Sequence, residues 1–272
     1  MNTTEYVPLV DTTRDEFRDR IADALSRFDR LARTAEPAAR PPGHAWTVQQ
    51  IVAHVLNIAH RYRNGAQGCP FRMVDSTSEI AGLNQDEIEA AMAPMSELAD
   101  ELQVVAAELA SACDSFTGDT VMPFHTFATV SGTAWQSYWL GELLMHGEDI
   151  ARASKARWEI RERDMLLVVR GLMEIGHAYL RDGVSPDTDL SVAFTLPGAR
   201  PYVIHIHDGV AEYRVRRPSD RPDAVLRAPA SVMAQVFYGR IGTFAAVRRG
   251  MFVVGGRRPW KALTLMSYFE QP

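Results

Sequence analysis

The sequence predicts two domains, a four-helix bundle followed by a smaller α+β domain. Three observations carry this. The chain has 272 residues, comfortable for two domains at ~100–200 residues each. Up to Trp158, apolar residues recur every three or four positions in four long segments, the period of amphipathic helices. Beyond Trp158 most of them fall into short, β-rich runs separated by turn residues, so the domains are read as 1–158 and 159–272. With 46% hydrophobic and 23% charged residues, the chain has the composition of a globular protein with a real core rather than of a disordered one.

The elements follow in order. From Asp11 to about Thr34, Phe17, Ile21, Leu25, Phe28 and Leu31 define the first helix. Glu36-Pro37 and Pro41-Pro42-Gly43 end it, and Thr47 with Gln50 reads as a capping box opening a second helix that carries Ile51, Val55, Ile58 and Tyr62. A loop from Asn64 to Asn84 and a short helical piece to Met92 precede Pro94, after which Ser96 is expected to cap a helix through Cys113. Ser131 is the expected cap of a fourth long helix, to Ala153. In the second half, one helix (Arg163 to Leu180) precedes strands at Leu190 to Leu196, Tyr202 to His207, Glu212 to Val215 and Met251 to Val254. Pro197-Gly198 and Asp208-Gly209 are the expected turns, with short helices at Ser231 to Tyr238 and Phe244 to Arg249.

Charge and cysteine usage narrow the function classes. A net charge of −5 removes the bulk attraction on which non-specific nucleic-acid or anionic-membrane binding depends, so neither partner is expected. Residues 197 to 261 nonetheless hold 12 Lys/Arg against 4 Asp/Glu, which suits either an anionic small molecule or, with somewhat more weight, an acidic neighbouring domain. Cys69 and Cys113 form neither a disulfide framework nor a C-x-x-C motif, and no apolar run suggests a signal peptide or membrane span. A reduced, cytoplasmic protein is expected, monomeric or homodimeric.

The candidate chemistry lies on the helices. Glu142 and His146 stand four apart, on one helical face that also carries Trp135, Tyr138, Trp139, Leu143 and Ile150, so both polar groups should face the bundle interior. A carboxylate there is costly without a compensating cation. His54 sits at the edge of the second helix's apolar stripe and also points inward. Two imidazoles and a carboxylate on facing helices suit a metal site with an open position, for zinc or ferrous iron. The plainer alternative pairs Glu142 with an arginine and leaves the histidines hydrogen-bonded in the core. Asp149 either orients a ligand or pairs with Arg152. His205 and His207 share a strand face but lack a third ligand nearby in sequence, and are read as surface or interface residues. His44, His60, His125 and His177 have no motif support.

The run Trp46-Thr47-Val48-Gln49-Gln50-Ile51-Val52-Ala53-His54-Val55 resembles the signature helix of DinB-like bundles, in particular of mycothiol-dependent maleylpyruvate isomerases. The run from Gly141 through Glu142, His146 and Asp149-Ile150-Ala151 resembles that family's second metal motif. The resemblance implies that His54, Glu142 and His146 hold zinc. The segment containing Ala228, Ser231, Phe237-Tyr238-Gly239-Arg240, Gly250, Val253-Val254-Gly255 and Leu263 resembles sterol carrier protein type 2-like domains, which the isomerases also append. It implies Arg240 as a partner for a substrate carboxylate, with Arg248, Arg249 and Arg257 as alternatives.

The implied activity is that of a zinc-dependent, mycothiol-using enzyme in which the metal activates the thiol against an electrophilic small molecule. Addition to a conjugated alkene followed by elimination gives a cis/trans isomerase, whereas release of the adduct gives an S-transferase. Two other classes stay open: a zinc hydrolase acting through metal-activated water, and a non-catalytic lipid- or metabolite-binding protein.

Overall fold

A computed structural model describes residues 7–126 and 128–270. The chain forms two compact units, one spanning Thr13–Ile160 and the other joining Arg161 onward with the segment that ends at Thr12. The sequence reading placed that opening segment with the bundle. The structure ties it instead to the second unit, where Arg200 bonds the Pro8 carbonyl and the Asp11 carboxylate.

The first unit is built on α1 (Arg14–Thr34), α2 (Val48–Ala66), α4 (Met95–Cys113) and α5 (Gly132–Ser154), with a shorter α3 (Ile80–Ala91). Local sequence sets most helix starts. Thr13 accepts from the Glu16 N–H, and Ser131 from the Ala134 N–H. At α2 the Thr47/Gln50 capping box is complete in both directions, which satisfies two backbone donors that the first turn would otherwise leave bare. Ser96 does not cap α4. The preceding Pro94 takes the cap position because its fixed φ, −51° here, suits a helix entry, and Ser96 lies inside the first turn. The loop expected to run to Asn84 is shorter, because Ser76 and Glu79 form a second capping box at a 3₁₀ turn (Thr77–Glu79) that leads into α3. A small hairpin of β1 (Val121–Pro123) and β2 (Thr129–Ser131) precedes α5 and was not foreseen, its strands being only three residues each.

Helix α5 is the centre of this unit. It packs against α1 and α2, while α2 also packs against α3 and α4. Trp135, Tyr138, Trp139, Leu143 and Ile150 are all buried, as the helical spacing predicts. Each large apolar side chain buried in this way contributes ~1.5–3 kcal/mol before conformational entropy is subtracted. The returning chain seals the end of α5: Trp158 lies over Gly147, donates its indole N–H to the Leu144 carbonyl at 3.0 Å and carries the Arg27 guanidinium 4.7 Å from its ring centroid.

In the second unit α6 (Glu162–Ile175) is followed by a 3₁₀ turn (Gly176–Tyr179), so the helix expected to reach Leu180 tightens in its last turn. The sheet has the order β5-β4-β3-β6-β7, from β3 (Leu190–Thr195), β4 (Tyr202–His207), β5 (Val210–Val215), β6 (Ala224–Arg227) and β7 (Phe252–Gly255). β3 and β6 pair in parallel and the other neighbours are antiparallel. β6 escaped the sequence reading because four residues between Asp223 and Pro229 show no periodicity. Two short helices, α7 (Ala230–Phe237) and α8 (Thr243–Arg248), cross between β6 and β7. The Asp208-Gly209 turn is a two-residue hairpin with φ of +50° and +74°, the combination that matches strand twist.

No helix among the described residues is long and apolar enough to cross a membrane. Gly147→Ala places a Cβ within 2.1 Å of the Trp158 ring, so this substitution is expected to destabilise the bundle by roughly 1–3 kcal/mol. Chemical denaturation measures it, and an unchanged midpoint contradicts the packing described here.

Candidate metal centre

His54 on α2 and Glu142 and His146 on α5 meet inside the first unit. His54 Nε2 lies 3.4 Å from Glu142 Oε2, and His146 Nε2 lies 3.3 Å from the same oxygen. One donor atom from each of the three residues falls within 4.8 Å of the other two. The three residues singled out in the sequence are thus brought together, by the packing of α2 on α5 and by the one-turn spacing of Glu142 and His146. Around a tetrahedral zinc ion with bonds of ~2.0–2.1 Å, adjacent donors stand about 3.3–3.4 Å apart. The two imidazole–carboxylate spacings match that edge length.

The electrostatics favour ligation. Both histidines are buried, with exposures of 4% for His54 and 8% for His146. Burial pushes the His54 imidazole down to about 4, against a smaller upward pull from Glu142, so the ring is neutral near pH 7 and keeps a lone pair to donate. Burial alone raises the Glu142 carboxyl, but hydrogen bonds and charge from His146 and His54 outweigh it and hold the group well below the usual carboxylate range. Among the described residues no arginine pairs with Glu142, as the plainer reading required: the buried Arg61 pairs instead with Glu87, Nε to Oε2 at 2.8 Å.

A second layer surrounds the three residues. Asp149, 1% exposed, places Oδ2 3.1 Å from His146 Nδ1, an arrangement that fixes the ring and directs Nε2 at Glu142. His44 Nδ1 accepts the Trp46 N–H at 3.1 Å, which leaves its Nε2 toward Asp149, 3.7 Å away. The Trp46 indole covers the site, with ring centroids 4.8 Å from His54 and 6.3 Å from His146, and is anchored by Nε1 donating to Gln85. Arg152 turns away to the Pro42 carbonyl, so Asp149 holds the His146 ring and does not make the ordinary helical pair. Sequence reasoning left His44 without a role because its proximity arises from a loop fold. The Asp149 signal was present, three residues after His146.

The remaining candidates lie elsewhere. His60 makes a surface contact with Glu101, and His177 is exposed. His125 is buried, stacks on Tyr62 and is pushed down to about 3 by burial and by the Arg61 charge. Cys69 is exposed in a loop, and burial pushes the Cys113 thiol up to about 12. Arg240 belongs to the second unit, where it follows α7 after Gly239, whose φ of +64° is the left-handed helix stop that glycine favours. Among its alternatives, Arg257 bonds the Asp223 carboxylate, Arg249 bonds Gln235, and Arg248 lies over the Phe244 ring.

Comparison with known proteins agrees with this architecture. The crystal structure of the mycothiol-dependent maleylpyruvate isomerase superposes with a TM-score of 0.58 at 16% identity, covering 90% of this chain and 95% of that one. A histidine-to-alanine mutant of that isomerase gives 0.57 at the same identity and coverage. At this identity the likeness establishes the fold. Comparison with curated proteins returns no match. The DinB superfamily profile matches residues 10–150, more than half of the sequence and the whole of the region that holds His54, Glu142 and His146. The chain belongs to the DinB superfamily.

Proposed function

We propose that the chain is a metal-dependent enzyme that holds a divalent ion, zinc, on His54, Glu142 and His146 and turns a low-molecular-weight thiol, mycothiol, on an electrophilic small molecule. The observation that carries this reading is the convergence of three donors at zinc-compatible spacing, with His146 oriented by a buried carboxylate. The shared fold of the mycothiol-dependent isomerase supports the choice of thiol. A bound divalent cation lowers the pKa of a thiol that reaches it, so that the nucleophile forms near neutral pH.

The chain's own residues do the rest. His54 and His146 donate neutral lone pairs, and Glu142 supplies one negative charge, which leaves a positive site for an incoming sulfur. Asp149 keeps the His146 ring from rotating, while Trp46 restricts water on one side. Neither cysteine competes for the nucleophile's role: Cys113 is held as a thiol and Cys69 lies in an exposed loop. In this reading the first unit is a metal-binding bundle, the second is a sterol carrier protein type 2-like unit, and Arg240 of the second unit is a partner for a substrate carboxylate. S-transfer and maleylpyruvate-type cis/trans isomerisation share this machinery and differ in whether the adduct is released or eliminates the thiol.

Turnover of candidate electrophiles by zinc-loaded protein, followed by mass spectrometry, tests the reading. Activity is expected to require added thiol and to fall more than about 100-fold in His54→Ala. Stable adducts identify a transferase, and thiol-dependent isomerisation without adduct identifies an isomerase. Thiol-independent turnover contradicts the proposal and favours metal-activated water. Asp149→Asn is expected to weaken zinc binding by about 10- to 100-fold with the helical content unchanged. Competition against a chromogenic chelator measures it, and wild-type affinity in the variant removes the orienting role.

A further inference from the structure

We propose a second site for a divalent transition metal, on the sheet of the second unit, formed by His205, His207 and Glu212. The two histidines alternate on β4 and so project from one face. The third donor, which the sequence did not reveal, comes from strand pairing: the β4–β5 register sets Glu212 directly opposite His205, on the same face. The tight Asp208-Gly209 turn fixes that register. One donor atom from each of the three residues lies within 4.8 Å of the others, the imidazole centroids are 4.4 Å apart, and His207 Nε2 is 3.9 Å from Glu212 Oε2.

Each imidazole is also held from behind by a carboxylate. Asp189 Oδ1 lies 2.9 Å from His205 Nε2, and Asp208 Oδ2 lies 2.9 Å from His207 Nδ1. This leaves the other nitrogen of each ring available and gives the histidine–carboxylate pairing that orients metal-ligating imidazoles. Charge points the same way. Asp189, Asp208 and Glu212 bring three carboxylates to the cluster, against Arg214, which contacts Glu212 at 3.5 Å but also binds Asp220 at 2.7 Å, Arg258, whose charge reaches Asp189 while its guanidinium bonds Asp223, and Lys261, which donates to the Asp189 carbonyl. A dication offsets that excess, in a stretch of chain that is otherwise strongly basic. Two imidazoles and a carboxylate select zinc, nickel or copper over magnesium and calcium, which prefer all-oxygen shells. All three side chains are partly exposed, so the site is open to ions from solvent.

The test is calorimetric titration of ZnCl2 into chelator-stripped full-length protein, with thermal melting of each variant to verify folding. Wild type is expected to take up two ions per chain, His205→Ala/His207→Ala one, and His54→Ala one. Copper(II) electron paramagnetic resonance on His54→Ala is expected to show nitrogen coupling that the further double substitution His205→Ala/His207→Ala removes. Unchanged stoichiometry in His205→Ala/His207→Ala, or no nitrogen coupling in His54→Ala, overturns this site. Loss of the other event alone bears on the bundle centre and leaves this one standing.

Discussion

The largely buried carboxylate of Glu142, set between two imidazoles from two different helices, is the constraint around which the first unit is arranged. Taking a carboxylate out of water costs several kcal/mol unless matched partners meet it at close range. The partners here are His54 on α2 and His146 one turn along α5, both within 3.4 Å. Meeting that requirement sets the rotation of both helices, since a shift of one residue swings a side chain by about 100°. The surrounding apolar positions then follow: Ile51, Val55, Leu143 and Ile150 are buried beside the polar group because they share its helical faces.

Polar groups around this centre are satisfied in layers. Asp149 holds His146 and is approached by His44, and Trp46 lies over the imidazoles while bonding Gln85. Such layering fixes the donors, because the His146 ring is held from its far side by Asp149 and the His54 ring is covered by the Trp46 indole. The second unit uses a related device with different partners. There Asp223, fully buried, gathers Arg257 and Arg258, and Asp220 gathers Arg214, so part of the local basic excess is neutralised inside the unit.

Much of this was legible in the sequence because it is local. The Thr47/Gln50 box, the Ser131 cap, the inward Glu142/His146 pair and the Asp208-Gly209 turn are each encoded within a few residues, and each stands in the structure as read. What escaped depends on contacts between distant segments or on strands too short to show a period. β6 and the β1–β2 hairpin exist through pairing, not pattern. Ser96 looked like a cap, but the conformation imposed by Pro94 decides where α4 begins. His44 reaches Asp149 only because the Pro41-Pro42-Gly43 loop turns back over the bundle. Glu212 joins His205 only through the hairpin register.

The chain shares its fold with an enzyme at 16% identity, and because a fold by itself does not fix chemistry, the function turns on His54, Glu142 and His146. The account rests on whether those positions hold a metal. Anomalous diffraction at the zinc absorption edge, from crystals of the zinc-loaded protein, tests this most directly. The account predicts a peak about 2.0–2.2 Å from Nε2 of His54, Nε2 of His146 and a Glu142 carboxylate oxygen. The contradicting result is zinc-loaded crystals with no peak among these three side chains.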